Sequence, residues 1–211
     1  MATRNTIKAQ FKKNGYALIK NLFDKQSVEI FTQYALFKEG FEFTPEGINA
    51  QVPNTHSSYG DPLAESLLLW GLEPLEQHIG MNLHPTYSYY RVYRNGSILK
   101  PHKDRPSCEI SMTVCMSYQY EKDGYNWPIR MNGIDIIMEP GDAVVYRGCD
   151  LEHSREILEA GEGAFHVQTF LHYVDADGPY SDYKYDNRVS LGLPAIKREI
   201  QQPKRPYIFK V

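Results

Sequence analysis

Three side chains that suit a metal ion lie where a β-rich chain can bring them together. His102 and Asp104 are two residues apart within residues 101–106. Residues i and i+2 of an extended segment point to the same side, so this imidazole and this carboxylate share one space. His153 follows a Pro-Gly-Asp turn and a predicted strand. If that strand returns to the first pair, two histidines and one carboxylate form a face that holds iron(II) and leaves positions open for oxygen and substrate.

Each of these ligands also has a simpler interpretation. His102 and Asp104 can be a solvated pair on a loop, and His153 can be a buried histidine held by hydrogen bonds. A His-x-Asp pair alone is weak evidence, because such pairs occur by chance. The metal hypothesis therefore depends on the later histidine and on the strands that must position it.

Composition narrows the class of protein. The chain has 211 residues, enough for one domain with a substantial core. A formal net charge of −3 leaves no basic excess, so no binding to nucleic acid is expected. The three cysteines are odd in number and fit no pairing motif, which indicates a reducing compartment. The polar N-terminus does not resemble a signal peptide and no apolar run could span a membrane, so we expect a cytoplasmic protein.

The first part of the chain reads as a strand and two helices. A strand is predicted over residues 16–22, and Asp24 is a suitable N-cap for a helix to about residue 38. Asp61 followed by proline starts a second helix that stops at Gly80, with Gly71 and Pro74 as points where it breaks or kinks. The long segment 40–60 between the helices is either functional or disordered.

After residue 80 the pattern changes to short strands, predicted over 87–93, 110–118, 129–131, 134–138, 143–147, 151–158 and 165–174. Asn132-Gly133 predicts a two-residue hairpin, and the last two strands are predicted to pair as another hairpin. The pattern favours a mostly β fold, a sandwich or jelly-roll barrel with helices packed outside. We expect a single domain, with helical support in 1–80, a core in 81–178 and a tail in 179–211. The polar tail is expected to wrap the surface or an oligomer partner, such as the second copy of a homodimer.

Two stretches resemble a known family. Residues 93–104, Tyr-Arg-Asn-Gly-Ser-Ile-Leu-Lys-Pro-His-Lys-Asp, resemble a collagen prolyl hydroxylase motif of Tyr, a Gly-containing turn, Pro and His-x-Asp. Residues 165–175 resemble the final core strand of hypoxia-sensing prolyl hydroxylases. The chain is thus similar, over about residues 10–178, to iron(II)- and 2-oxoglutarate-dependent dioxygenases of the prolyl 4-hydroxylase-like branch. The resemblance implies a double-stranded β-helix, a cupin-like jelly roll, with His102, Asp104 and His153 as metal ligands.

The expected site for the co-substrate departs from the family pattern. In the relatives, an Arg or Lys about ten residues after the distal histidine pairs with the far carboxylate of 2-oxoglutarate. His166 occupies that position here. Arg155 is at i+2 from His153 and shares its inward face, so we expect Arg155 to bind the carboxylate, with His166 beside it. Tyr93 matches a tyrosine that contacts the co-substrate in relatives.

The sequence leaves the roles of several other residues open. Arg155 can instead form a surface ion pair with Glu152, Glu156 or Glu159, and Tyr93 can be a core residue. Thr113 or Cys115 is expected to line the pocket. Arg105, Arg91 and Arg147 are predicted to face the substrate, and loops 40–60 and 118–127 are predicted to set specificity.

The resemblance implies a hydroxylase that uses O2 and 2-oxoglutarate and releases succinate and CO2. Its substrate would be a prolyl or other amino-acid or peptidyl group, or a small metabolite, because one fold hosts many substrates. Two alternatives remain. One is a jelly-roll protein that binds a metal or ligand without catalysis. The other is a cupin-type metalloenzyme without a co-substrate, although cupins usually carry His-x-His where this chain has Asp104.

Overall fold

The computed structural model describes residues 4–42, 51–53 and 55–193. Its helices are α1 (Arg4–Asn14), α2 (Lys25–Glu42) and α3 (Pro62–Ile79). Its strands are β1 (Tyr16–Ile19), β2 (His56–Tyr59), β3 (Leu83–Arg94), β4 (Leu99–His102), β5 (Ile110–Gln119), β6 (Ile129–Met131), β7 (Ile134–Ile136), β8 (Ala143–Arg147), β9 (His153–Arg155) and β10 (Phe165–Asp175). Short 3₁₀ segments occur at Pro106–Cys108 and Ser181–Asn187.

The strands form two antiparallel sheets. The larger sheet has six strands in the order β1-β8-β5-β10-β3-β2, and the smaller has four in the order β4-β9-β6-β7. All pairs are antiparallel, and the chain passes repeatedly from one sheet to the other. This arrangement confirms the predicted mostly β fold, a jelly-roll core with helices outside it.

The helices pack against the outer face of the six-stranded sheet. Phe31 of α2 meets Tyr90 of β3 edge to face, and the Tyr173 hydroxyl donates to the Leu68 carbonyl at 2.8 Å. Helix α3 runs through Gly71 and Pro74 without the predicted break. A Cβ at position 71 would lie 3.0 Å from the Met112 side chain, so the glycine lets the helix approach the sheet closely.

Turn and cap residues act as their sequence predicts. β6 and β7 pair across Asn132-Gly133, which both have positive φ values, 46° and 81°. Such a turn matches the twist of a hairpin. The Asp61 side chain accepts from the amides of Leu63 and Ala64, and Gly80 ends α3 in the left-handed region with φ 70°. These local signals fix where the elements start and stop.

Three expectations about elements were wrong. The strands 151–158 and 165–174 do not form a hairpin, because β9 pairs with β4 and β6 whereas β10 pairs with β3 and β5. Helix α1 was missed because it is polar and buries only Ile7 and Phe11, one turn apart. Strand β2 lies inside the predicted loop 40–60, and residues 43–50 and 54 of that loop lie outside the described residues.

The first part of the tail packs against the chain itself. Arg188 is buried and pairs with Glu65 of α3 at 2.5 Å. Asp186 accepts from Tyr59 at 2.5 Å and pairs with Arg105 at 2.7 Å. Residues 194–211 lie outside the described residues. Across the described ranges, no helix has both the length and the apolar character needed to cross a membrane.

Candidate active site

The three predicted metal ligands meet in the space between the two sheets. His102 ends β4, Asp104 follows it, and His153 starts β9, which pairs with β4 so that the two histidines are opposite. Asp104 Oδ1 lies 3.5 Å from His153 Nε2 and 3.8 Å from His102 Nε2. One donor atom from each residue falls within 4.8 Å of the others. Atoms that share one ion at about 2.1 Å lie roughly 3 to 3.5 Å apart, so a small adjustment closes this set around a metal.

Hydrogen bonds indicate which ring nitrogen of each histidine is available to a metal. His102 Nδ1 lies 2.8 Å from the Lys100 carbonyl oxygen, and His153 Nδ1 lies 3.1 Å from that of Leu151. A carbonyl can only accept, so each Nδ1 carries the hydrogen and each Nε2 carries the lone pair. Burial lowers the pKa of His153 despite the nearby Asp104 carboxylate. Two imidazole nitrogens and one carboxylate oxygen therefore form a donor set that fits a divalent metal.

Asp104 is oriented by residues that the sequence did not mark. Its amide donates to the Gly148 carbonyl at 2.9 Å, and Ser111 Oγ donates to Oδ2 at 3.0 Å, which leaves Oδ1 toward the histidines. A Cβ on Gly148 would lie 2.2 Å from the Cys108 carbonyl oxygen and 2.6 Å from Asp104 Oδ2. Only glycine fits this position while Asp104 keeps its place.

A second group of donors shares Asp104 with Cys108 and His172. Burial raises the pKa of the Cys108 thiol, which also contacts the Tyr87 hydroxyl at 3.0 Å. Burial lowers the pKa of His172 to about 4, and its Nδ1 bonds to Ser111 Oγ at 2.9 Å. A protonated thiol is a poor ligand, so this group fits a metal less well than the two-histidine set.

A cavity of about 360 Å³ lies beside the metal ligands. The ligands line it from the side of the four-stranded sheet. Arg91 and Tyr93 of β3 and Phe170 of β10 line it from the six-stranded sheet. Gln51, Lys103 and Arg105 complete the polar lining. The volume is at the low end for small-molecule sites, which favours a small ligand.

Arg155 is buried next to this cavity without a carboxylate partner among the described residues. The side chain is 2% exposed, and its guanidinium stacks 4.6 Å from the Trp127 ring. It donates to the Trp127 carbonyl at 2.6 Å and to Gln168 Oε1 at 3.2 Å. Burial lowers its pKa. The surface ion pair is therefore excluded, and Glu156 pairs with Arg130 instead.

His166 lies beside Arg155 as predicted, although neither residue lines the cavity. His166 contacts Gln168 Oε1 at 2.7 Å and the Tyr120 hydroxyl at 2.8 Å. Burial, with Arg155 adding to it, holds the pKa of His166 well below its usual range. Gln168 in turn donates to Thr113 Oγ1 at 2.5 Å. Because His166 stays neutral, Arg155 is the cation of this cluster.

Tyr93 and Leu99 form the cavity wall nearest to this cluster. Leu99 pairs in register with Arg155, and the Tyr93 ring meets the Trp127 ring edge to face at 4.9 Å. Tyr93 also accepts from Arg91 Nη1 at 3.5 Å. Tyr93 therefore contacts Arg91 directly and contacts Arg155 through the Trp127 ring.

Arg91 lines the cavity itself, and it also lacks a carboxylate partner within the described residues. It is 1% exposed, and Nη2 donates to the Tyr89 hydroxyl at 3.2 Å and to Gln51 Oε1 at 3.3 Å. Gln51 Nε2 lies 2.9 Å from His102 Nε2. Since that nitrogen carries the lone pair, Gln51 donates to it. One amide group thus connects Arg91 to a metal ligand.

The other predicted substrate residues occupy different positions. Arg105 lines the cavity but is paired with Asp186 and stacks over Tyr87 at 4.6 Å. Arg147 does not line it, and its guanidinium lies over the Phe11 ring at 5.2 Å. Cys115 is buried and does not line the cavity either.

Sequence reasoning missed Gln51, Ser111, Gly148, Trp127 and Gln168. Gln168 and Ser111 had a readable signal, because each lies two residues from a marked residue of the same strand, His166 or Thr113, and therefore on the same face. Gln51 and Trp127 lie in the two loops predicted to set specificity, but neither residue was marked there. Gly148 acts through contacts in space that no local pattern records.

Comparison by sequence gives a partial match. No family model matches the chain. A protein of Methanocaldococcus jannaschii, named only as uncharacterized protein MJ1483, is 28% identical over 83 residues, which cover 39% of this chain and 55% of that protein. The chain therefore spans about half the length of the curated relative it matches.

Solved structures give a longer match at lower identity. A Pseudomonas putida prolyl-4-hydroxylase aligns with a TM-score of 0.60 and 14% identity over 81% of this chain and 98% of that chain. The epimerase SnoN, with Fe3+, α-ketoglutarate and nogalamycin RO, aligns with a TM-score of 0.68 and 12% identity over 92% and 93%. HygX from Streptomyces hygroscopicus, with nickel, 2-oxoglutarate and hygromycin B, aligns with a TM-score of 0.61 and 16% identity over 83% and 88%. The chain thus shares the double-stranded β-helix fold of these solved structures.

Proposed function

We propose that this chain is an iron(II)- and 2-oxoglutarate-dependent oxygenase. The observation that carries the proposal is the convergence of His102 Nε2, His153 Nε2 and Asp104 Oδ1 in one cavity. Both Nδ1 hydrogens are bound to backbone carbonyls, so both lone pairs are directed at the shared space. The fold, shared with structures that hold Fe3+ or nickel together with 2-oxoglutarate or α-ketoglutarate, supports the choice of cofactor.

We infer that Arg155 binds the free carboxylate of 2-oxoglutarate. Arg155 lies on the strand of His153 and on its inward face, and it has no carboxylate of its own within the described chain. A buried guanidinium without a counter-ion is costly by several kcal/mol, and an incoming carboxylate would remove that cost. His166, Gln168 and Thr113 hold the guanidinium in place through a chain of hydrogen bonds.

Bound iron(II) and 2-oxoglutarate would supply the oxidising chemistry, in which one atom of O2 enters a substrate C–H bond and the other leaves in succinate, with release of CO2. The protein's own residues fix the geometry. His102 and His153 offer fixed lone pairs, and Ser111 and Gly148 hold the Asp104 carboxylate toward them. Tyr89, Tyr93 and Phe170 line the cavity with aromatic rings, which would help to exclude water when a substrate is bound.

The single-domain organisation, with supporting helices before residue 81 and a tail after residue 178, is part of the same proposal. We place the chain nearest the prolyl-4-hydroxylase-like branch. The motif of residues 93–104 supports this, as does the alignment that covers 98% of the Pseudomonas putida enzyme. The substrate is expected to be an amino acid, a short peptidyl segment or another small molecule, since the cavity holds about 360 Å³.

Substrate-independent turnover tests the proposal. Purified protein is loaded with Fe(II) under nitrogen, given 2-oxoglutarate and air, and assayed for succinate. We expect succinate only when Fe(II) and 2-oxoglutarate are both present, and binding without turnover when Ni(II) replaces Fe(II). Protein that binds Ni(II) but neither binds nor consumes 2-oxoglutarate would contradict the assignment and favour a metal-binding jelly roll.

A further inference from the structure

Most arginines of the described chain that lie in polar networks are matched by a carboxylate. The four pairs are Arg94 with Glu39, Arg105 with Asp186, Arg130 with Asp135 and Arg188 with Glu65. Arg91 and Arg155 are the most deeply buried arginines, and neither has such a partner within the described residues. Arg91 Nε has no hydrogen-bond partner at all in that part of the chain. Buried charges are normally paired, so each of these two guanidiniums indicates a bound anion.

The number of carboxylates on 2-oxoglutarate indicates that the two arginines bind anions from different molecules. Under the proposed function, one carboxylate of 2-oxoglutarate lies on the metal and the other occupies one arginine. The second arginine then requires a negative group from another molecule. Arg155 lies behind Tyr93 and Leu99, whereas Arg91 lines the cavity that the metal ligands share. A substrate entering this cavity meets Arg91.

We propose that Arg91 binds the carboxylate of the substrate, which is a small organic acid with an apolar or aromatic body. The inference rests on the proposed function, because the charge count assumes that 2-oxoglutarate occupies Arg155. One guanidinium with neutral neighbours matches a singly charged carboxylate better than a doubly charged phosphate. Its free Nε and its Nη groups provide the fork that carboxylates prefer.

The walls of the cavity describe the rest of the substrate. Tyr87, Tyr89 and Phe170 line it, and the Tyr89 and Phe170 rings are 6.1 Å apart. Flat apolar surfaces of this kind bury an aromatic or aliphatic body.

The position of Gln51 indicates where on the substrate the reaction occurs. Its carboxamide reaches both Arg91, at 3.3 Å, and His102 Nε2, at 2.9 Å. A carboxylate that takes the place of this amide on Arg91 would put its neighbouring carbons next to the metal. The oxidised C–H bond is therefore expected one or two carbons from the carboxylate.

Binding without turnover tests this proposal. Protein loaded with Ni(II) and saturating 2-oxoglutarate is titrated calorimetrically with 3-phenylpropanoate and with its amide, 3-phenylpropanamide, which has the same shape but no charge. We expect the acid to bind at least about tenfold more tightly than the amide, because a charge-assisted bond is lost in the amide. In Arg91→Gln, acid and amide should bind equally weakly. The matched control Arg147→Gln, which changes an arginine outside the cavity, should retain the preference.

A second variant covers the case in which Arg91→Gln does not fold. Gln51→Glu keeps Arg91 and supplies a carboxylate beside it, so we expect the preference for the acid to disappear. Unchanged acid binding in either folded variant would overturn the proposal. So would a tenfold loss of 2-oxoglutarate affinity in Arg91→Gln, because Arg91 would then be the co-substrate anchor.

The same titrations separate this proposal from the proposed function. Ni(II)-loaded protein that binds 3-phenylpropanoate through Arg91 but never binds 2-oxoglutarate would refute the oxygenase and retain the acid site. Protein that binds 2-oxoglutarate but shows no preference for the acid would refute the acid site alone.

Discussion

The surroundings of Arg155 and Arg91 differ although both guanidiniums are buried and neither has a described acidic partner. Arg155 is fixed by Trp127 and Gln168 and lies behind the cavity wall. Arg91 lines the cavity. Its hydrogen-bond partners among the described residues are neutral, and its Nε has none there. The guanidinium of Arg155 is held in place behind the cavity wall, which suits a co-substrate that is the same in every turnover. The guanidinium of Arg91 lies beside the cavity, which suits a substrate that enters and leaves.

The difference teaches how a site can be located without a bound ligand. Surface arginines reveal little, since an exposed ion pair contributes about 0 to 1 kcal/mol. A buried guanidinium without a counter-ion is unfavourable by several kcal/mol unless an anion completes it. Under our proposals, the two arginines mark two anion positions on either side of Tyr93, next to the candidate metal ligands.

The largest effect is expected from a substitution that removes the candidate metal site, which lies next to both arginines. Asp104→Ala leaves His102 and His153 without their shared carboxylate, so we expect loss of bound iron and at least about a thousandfold loss of succinate formation. Metal content and succinate assays measure this. His102→Ala should behave alike, and His84→Ala, which changes a histidine outside the cavity, should match the wild type. Retained turnover in Asp104→Ala would show that the Asp104 carboxylate is not a ligand of the catalytic metal.

Exchanging the arginines one at a time tests which anion each one binds. Arg155→Gln should raise the KM for 2-oxoglutarate by about 10- to 100-fold, because a charge-assisted pair contributes roughly 1.5 to 3 kcal/mol. Arg91→Gln should leave that KM within about threefold of the wild type. Substrate-independent succinate formation at varied 2-oxoglutarate gives both values. A raised KM in Arg91→Gln, with none in Arg155→Gln, would reverse the two roles. A raised KM in His166→Ala, with none in Arg155→Gln, would make His166 the anchor of 2-oxoglutarate.

Gly148 offers a smaller perturbation that leaves every ligand in place. A Cβ in Gly148→Ala would press on the Cys108 carbonyl and the Asp104 carboxylate, so Asp104 must rotate away from the histidines. We expect metal affinity to fall by about tenfold, as for other residues that orient ligands. Metal titration measures it. Gly40→Ala is the matched control, since a Cβ at that helical position meets nothing within 4 Å. Equal affinity in both variants would show that Asp104 does not depend on Gly148.

The sequence marked the three candidate metal ligands and predicted most strands, because the signals for both are encoded locally. The i and i+2 spacing of His102 and Asp104 and the Asn132-Gly133 turn each act within a few residues. The false hairpin of residues 151–158 and 165–174 shows the limit of such reasoning. β9 and β10 follow each other in the chain but lie in different sheets, and the periodicity of a strand does not indicate which strand it pairs with.

The residues that complete the site were hidden for a related reason. Gly148 matters only because Cys108 and Asp104 approach it through space. Gln51 reaches His102 from a segment with no regular pattern. Arg91 was one of several arginines in sequence, and only its burial without an acidic partner among the described residues separates it from Arg105. Counter-ion pairing is a property of the folded chain.

Arg105 gives the smallest but sharpest contrast with Arg91, because its counter-ion is built into the chain. Burial raises the pKa of Asp186, but hydrogen bonds from Arg105 and Tyr59 outweigh it and lower the pKa from 3.8 to about 2. A lowered folded pKa stabilises the protein above the unfolded value near 3.8, and this contribution is lost as the pH falls from about 4 to about 2. The Arg105 side chain is 48% exposed and the Asp186 side chain 11%, so solvent screens the pair in part. We therefore expect Asp186→Asn to lower the free energy of unfolding at pH 7 by about 1 kcal/mol. Denaturant unfolding at a series of pH values should show that difference shrinking below pH 4, with Asp182→Asn as an exposed control. A difference that persists unchanged at pH 2 would mean that Asp186 contributes through packing and not as the counter-ion of Arg105.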